Sequence, residues 1–127
     1  FGIVHRDVKL ENLLLDGDGR VLLCDFGWCE FEEDRPRGLC GTPQLMAPEV
    51  LATDAQSSKM DIWALGACLA QLLKGVPLEG AQDAWLPKAA SDAAHDLADG
   101  LLQWDPGLRI DAKSALGRRF LRHAAVV

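Results

Sequence analysis

The stretch HRDVKLEN, residues 5–12, sets two basic residues, a histidine, two acids and an asparagine into eight positions directly behind the apolar FGIV. Asp7 and Asn12 are hard oxygen ligands, and a third, Asp25, opens the stretch DFG at residues 25–27. Such a group suits magnesium, which takes one or two protein carboxylates and completes its shell with water and substrate phosphates. Lys9 follows Asp7 by two residues, so on an extended loop the two side chains share a side. An ammonium placed there neutralises charge developing on a transferred phosphoryl group. Asp7 is then the group that orients a hydroxyl and accepts its proton. Each short stretch taken alone reads as a polar turn, so the chemistry depends on what brings the turns together.

A hairpin meets that requirement. Two short apolar runs, Leu13 to Leu15 and Val21 to Cys24, flank DGDG, whose residues suit a tight turn. The segment entering the hairpin carries Asp7 and Asn12, and the segment leaving it carries Asp25. A calcium loop is the poorer reading of DGDG, because the later ligand positions and a closing glutamate are missing. Residues 28–49 hold proline, glycine and charge without either period and are expected to form a long loop. From Ser58 to Leu73 the pattern predicts a helix with serines able to cap it and Gly75 as its stop signal. That helix is apolar nearly all round and belongs in a core, and Trp63 and Trp104 are expected to be core residues. Ala94, Leu97, Leu101 and Leu102 behind a Ser91 cap predict an amphipathic helix, and Asp111 is a candidate cap for one or two short helices that follow. No internal repeat or low-complexity tract is present.

The composition, with 49% hydrophobic and 25% charged residues in 127, is that of one globular domain. Thirteen Lys and Arg against nineteen Asp and Glu give a net charge of −6, which argues against nucleic acid or an anionic membrane as partner. The basic stretch GRRFLRHA near the C-terminus reads instead as a complement to a helix dipole. Cys24, Cys29, Cys40 and Cys68 form no C-x-x-C pair, so neither zinc nor a disulfide framework is expected. A reducing, intracellular setting fits, cytoplasmic with a nuclear one left open. Cys24 is expected to pack inertly and Cys40 to be an exposed thiol. No signal peptide is read, and the apolar run Ile62 to Leu73 is too short to span a bilayer. A chain opening on Phe1 reads as a piece of a longer polypeptide.

In order along the chain, HRDVKLEN, DFG, GTPQLMAPE (Gly41 to Glu49), DIWALG (Asp61 to Gly66) and DPGLR (Asp105 to Arg109) resemble the C-terminal lobe of eukaryotic protein kinases. The resemblance runs from residue 3 to about residue 122. Lys9 and the GTP before APE are similar to the serine/threonine branch, and DFGWC and LCGTP resemble the Aurora-type subgroup more loosely. The resemblance implies a mainly α (α+β) fold: a kinase-like C-terminal lobe, residues 1–127, with a small β-hairpin next to the catalytic loop and no N-terminal lobe. It implies transfer of the γ-phosphoryl of ATP, with Mg2+, to a protein Ser/Thr hydroxyl. Asp7 would be the catalytic base, Lys9 would contact the γ-phosphate, and Asn12 and Asp25 would hold magnesium. Thr42 would bridge Asp7 and Lys9 beside the substrate. His5 and Phe26 would pack in the lobe's internal spine, Glu49 would pair with Arg109, and Asp61 would accept hydrogen bonds from the catalytic-loop backbone. Arg6 would normally meet a phosphate on the loop after DFG.

The departures bear on function as much as the matches. Nothing resembles the N-terminal lobe, with its glycine-rich loop, strand lysine and helix glutamate. The helix that in the family precedes FGIVHRD is also missing, and an apolar helix face left open would cost several kcal/mol at roughly 25 cal/mol per Å2. A marginal or sticky chain is therefore expected, completed by a missing N-terminal lobe or a partner chain. WCEFEEDRPRGLC, residues 28–40, has no Ser, Thr or Tyr to carry a phosphate. Glu30, Glu32, Glu33 or Asp34 pairing with Arg6 is one reading of that run, and a solvated acidic face is the other. Between LLKGVPLEG and SDAAHDL about ten residues leave no room for the helix usual in the family. The readings that remain are a kinase acting on a protein substrate, a non-catalytic kinase-derived binding module, and an inactive fragment.

Overall fold

The computed structural model describes residues 1–122. The stretch GRRFLRHA ends at His123 and Ala124, which lie outside the described residues. Among those residues the chain is mostly helical, with two small antiparallel sheets of two strands each.

Helix α2, Ser58–Lys74, is the element around which the rest is arranged. Ser57 opens it, its hydroxyl accepting from the Lys59 N–H at 3.2 Å, and Gly75 closes it in the left-handed conformation at φ 72°. Small residues let neighbours come close. A Cβ on Gly66 would lie 2.8 Å from Leu102 Cγ and 2.9 Å from Leu101 Cβ, at the contact with helix α3, Asp92–Leu101. Ala67, Cys68 and Ala70 pack with Leu45, Leu78, Leu86, Ala94 and Ala98, while Met60 and Trp63 pack with Val4, Ala47 and Val50. One side of α2 stays open, with Leu65, Leu72 and Leu73 exposed. Helix α3 begins at Ser91, whose hydroxyl accepts from the Ala94 N–H at 3.2 Å. Two short helices, α4 at Ala112–Leu116 and α5 at Arg119–Arg122, cover its far side, and Asp111 caps α4 by accepting from Ser114 N–H at 2.7 Å.

Trp63 is 1% exposed, but Trp104 is 61% exposed, against the expectation that both lie in the core. Trp104 stands edge-on to Trp63 with ring centroids 5.7 Å apart, so one edge is packed while the rest of the ring faces water. Cys40 also differs from expectation. It is buried, and burial pushes its thiol above the usual range.

Strands β2, Leu13–Leu15, and β3, Val21–Leu23, pair in the expected hairpin, Leu13 opposite Leu23 and Leu15 opposite Val21. Asp16 Oδ1 accepts from the N–H groups of Asp18 and Arg20, both at 2.9 Å, and Gly19 takes φ 78°. That carboxylate organises the turn. The second sheet was not legible. Strand β1, Ile3–Val4, pairs with β4, Glu30–Phe31, inside the stretch expected to be loop. Two-residue strands carry no period to detect. Helix α1, Pro48–Thr53, follows with proline in its first turn, where the missing N–H costs nothing. Between α2 and α3, residues 75–91 hold a single turn, Ala81–Asp83, and no further helix.

Candidate active site

The loop from His5 to Asn12 is held from below by one carboxylate. Asp61, in the first turn of α2, accepts from His5 N–H at 2.7 Å and from Arg6 N–H at 3.0 Å. These two bonds support Arg6 at φ 72°, a left-handed conformation that costs an ordinary residue roughly 1–2 kcal/mol. Burial pushes the Asp61 carboxyl above its ordinary range, and the two N–H donors pull it back.

With Arg6 turned in this way, the next carboxylate becomes a meeting point. Asp7 is buried; its Oδ1 accepts from Thr42 Oγ1 at 3.1 Å, and its Oδ2 lies 3.1 Å from Lys9 Nζ and 3.3 Å from Asn12 Nδ2. Asn12 Nδ2 also donates to the Asp7 carbonyl at 2.8 Å, which leaves the amide oxygen of Asn12 uncommitted to these contacts. Lys9 stays partly open to solvent.

The hairpin ties the segment that carries Asp25 to the loop. Cys24 N–H donates to the Asn12 carbonyl at 2.9 Å, which ties the leaving segment to the entering one. Asp25 itself is exposed at φ 59°, with one carboxylate oxygen accepting from Gly27 N–H at 3.3 Å. His5 braces the same junction: its Nε2 meets the Cys24 carbonyl at 3.0 Å and its Nδ1 accepts from Asp7 N–H at 3.3 Å. Phe26 packs against the His5 ring, centroids 5.2 Å apart with the rings near perpendicular, and is otherwise 62% exposed.

Thr42 is delivered by a close backbone approach. A Cβ on Gly41 would fall 2.4 Å from the Arg6 carbonyl oxygen, and Gly41 sits at φ 88°. Only glycine fits there. Gly41, which the sequence marks only by its place directly before Thr42, is the residue that makes this approach possible.

Arg109 stands apart from the loop and binds three elements together. It is 1% exposed, and its guanidinium grips Glu49 of α1 in a bidentate pair, Nη1 to Oε1 at 2.7 Å and Nη2 to Oε2 at 2.9 Å. Further bonds run to the carbonyls of Lys59 at 2.7 Å and Gln103 at 3.0 Å, and the Lys59 ammonium returns to the Arg109 carbonyl. The Trp63 ring lies 5.1 Å from the guanidinium carbon.

The acidic run after DFG reaches Arg6 at one point only among the described residues: Glu30 Oε1 is 3.9 Å from Arg6 Nη1. Glu32 is used elsewhere, accepting from Ser58 N–H at 3.1 Å at the start of α2.

These residues can hold a hydroxyl at Asp7, place a cation at Lys9, and offer a metal the Asn12 amide oxygen and the Asp25 carboxylate. Among the described residues no cluster of three or more His, Cys, Asp or Glu side chains forms a metal cage. A sparse oxygen set of one carboxylate and one amide is what magnesium uses when phosphates complete its shell.

Comparison with known proteins shows what the chain is similar to. Residues 1–121 match the protein kinase domain family. The chain is 39% identical over 132 residues to the serine/threonine protein kinase ypkA of Aspergillus fumigatus, covering 91% of this chain and 21% of that protein. It is 38% identical over 127 residues to the human serine/threonine-protein kinase Sgk2, covering 88% and 35%. An Aurora kinase of Encephalitozoon cuniculi is 34% identical over 134 residues, covering 94% and 49%. The chain therefore spans between a fifth and a half of the length of these relatives.

Proposed function

Because this chain belongs to the protein kinase family, an enzyme family that uses ATP and Mg2+, we propose that it is the C-terminal lobe of a serine/threonine protein kinase. Its reaction would be transfer of the γ-phosphoryl of ATP to a Ser or Thr hydroxyl of a protein. The observation that carries this reading is the Asp7 carboxylate, held by Thr42 on one oxygen and by Lys9 and Asn12 on the other.

In this reading the substrate hydroxyl approaches Asp7 beside the Thr42 hydroxyl, which keeps its bond to Oδ1. Asp7 receives the hydroxyl proton as the new oxygen–phosphorus bond forms and the bond to the leaving diphosphate oxygen breaks. Lys9, 3.1 Å from the same carboxylate, keeps a positive charge beside the phosphoryl group in transit. Asn12 and Asp25 would hold magnesium, which supplies charge neutralisation along the phosphates. Asp61, His5 and Gly41 act by geometry, fixing where Asp7 and Thr42 stand. Glu49 and Arg109 act as structural support.

The surface supports a further partner. Leu14, Leu15, Val21, Leu22 and Leu23 of the hairpin and Leu72 and Leu73 of α2 are all exposed. These exposed apolar side chains suit the remainder of a kinase domain, or a partner chain that supplies it, in addition to the protein substrate.

Calorimetry of magnesium-dependent ATP binding to the chain tests the site. Binding that Asp25→Asn weakens at least tenfold is the expected result, since the lost carboxylate charge faces the metal. Binding unaffected by that change would remove Asp25 from the metal site. No binding by folded chain would overturn a usable phosphate and metal site on these residues alone.

A further inference from the structure

Arg6 is 8% exposed, yet among the described residues its guanidinium makes no ion pair closer than 3.9 Å. Nη2 donates to the carbonyls of Arg37 at 2.9 Å and Gly38 at 3.1 Å, and Nη1 donates to the carbonyl of Trp28 at 3.4 Å. Nε is buried without a partner among the described residues. Glu30, at 3.9 Å and half-exposed, is beyond hydrogen-bond distance. One side chain thus gathers both ends of the segment from Trp28 to Gly38.

The same residue is fixed on its other side. Its N–H is bonded to Asp61, and its carbonyl is the surface against which Gly41 packs immediately before Thr42. Further bonds pin the segment along its length: Glu32 N–H to the Gly2 carbonyl at 2.8 Å, Gly38 N–H to Asp54 Oδ2 at 2.9 Å, and Gln56 Nε2 to the Gly38 carbonyl at 2.9 Å. Residues 28–40 contain no Ser, Thr or Tyr, so no hydroxyl phosphate can enter this network.

We propose that Arg6 is a positioning residue that latches the 28–38 segment through backbone carbonyls, holding Gly41 and Thr42 against Asp7 with no modification of the segment. Charge attracts dipoles here in place of an anion. A planar guanidinium with divergent N–H groups spans both ends, which a single ammonium cannot. The latch gives the segment one standing arrangement without a hydroxyl phosphate in it. The inference deepens the kinase reading, in which Thr42 and Asp7 face the substrate hydroxyl. Its test reads the order of the segment and not turnover, so the two fail separately.

Hydrogen exchange by mass spectrometry on the chain provides that test, because the N–H groups of Cys29, Glu32, Arg35 and Gly38 are all bonded and report on the segment. Arg6→Met is expected to speed exchange across residues 28–40 by about tenfold or more while α2 stays protected. Arg6→Lys is expected to behave like Arg6→Met. Glu30→Gln, and a rise in salt from about 0.05 M to about 0.5 M with the unaltered chain, are expected to leave protection unchanged. The latch is overturned if Arg6→Met exchanges like the unaltered chain, or if Arg6→Lys restores protection. It is equally overturned if Glu30→Gln or salt removes protection, since an ion pair would then be the holder. Should Arg6→Met also loosen α2, the Glu30→Gln and salt measurements on folded protein decide in the same sense.

Discussion

Three donors converge on Asp7, and a buried carboxylate so surrounded is oriented before any substrate arrives. The residues named from the sequence as candidates cluster where local spacing placed them: Asp7, Lys9 and Asn12 lie within one short loop. What the spacing could not tell was the long-range part. Gly41 on the Arg6 carbonyl, and Arg6 on carbonyls some thirty residues away, depend on how the chain returns on itself. Backbone acceptors are present at every residue, so no side-chain pattern marks the ones Arg6 uses. Another residue-scale effect concerns Cys68, in the middle of α2, whose thiol burial pushes from 9.0 up to about 11. The folded chain keeps that proton while the unfolded chain loses it, so stability present below pH 9 is lost as pH rises toward 11. The loss amounts to roughly 3 kcal/mol at most. Urea denaturation at stepped pH should show this fall, and Cys68→Ala should make it shallower, the raised Cys40 thiol leaving a remainder of the same sign.

At the scale of elements, the packing of α2 on α3 is set by Gly66. Valine there would gain a few tenths of a kcal/mol in helix propensity, about 0.5. Its Cβ would meet Leu102 Cγ at 2.8 Å and Leu101 Cβ at 2.9 Å. Leu102 can turn aside at its side chain, but Leu101 Cβ is fixed to the helix backbone, so α3 must move. Overpacking of this kind costs about 1–3 kcal/mol, which exceeds the propensity gain. Gly66→Val should therefore lower the urea midpoint without changing the slope of the transition. The long helices and the hairpin were readable because each carries a period and a cap: Ser57 and Gly75 bound α2, Ser91 opens α3, and Asp16 builds the turn. The β1–β4 pair and α1 were not, since a two-residue strand and a helix of under two turns hold too few residues for any period to emerge. Trp104 misled for a different reason. Its apolar bulk predicts burial, but it sits past the end of α3, where it meets Trp63 in a perpendicular pair and is otherwise 61% exposed.

Across the whole molecule, apolar surface is unevenly placed. The packed side of α2 carries the three core clusters, while the hairpin and the outer side of α2 present leucines to water. The edge contact between Trp63 and Trp104 offers a way to watch this from within. The chain has four tryptophans and no tyrosine, so its near-ultraviolet emission is all indole. Trp63 is sealed at 1% exposure, whereas Trp28, Trp85 and Trp104 are each more than half exposed, at 51%, 55% and 61%. The emission should then be a sum of one blue, quencher-resistant component and a larger red one that acrylamide extinguishes. Trp63→Phe should abolish the resistant component, and its survival in that variant would place the sealed indole elsewhere. Light from a single ring would thus report on the packing around the Glu49–Arg109 pair beside it, with no label added to the protein.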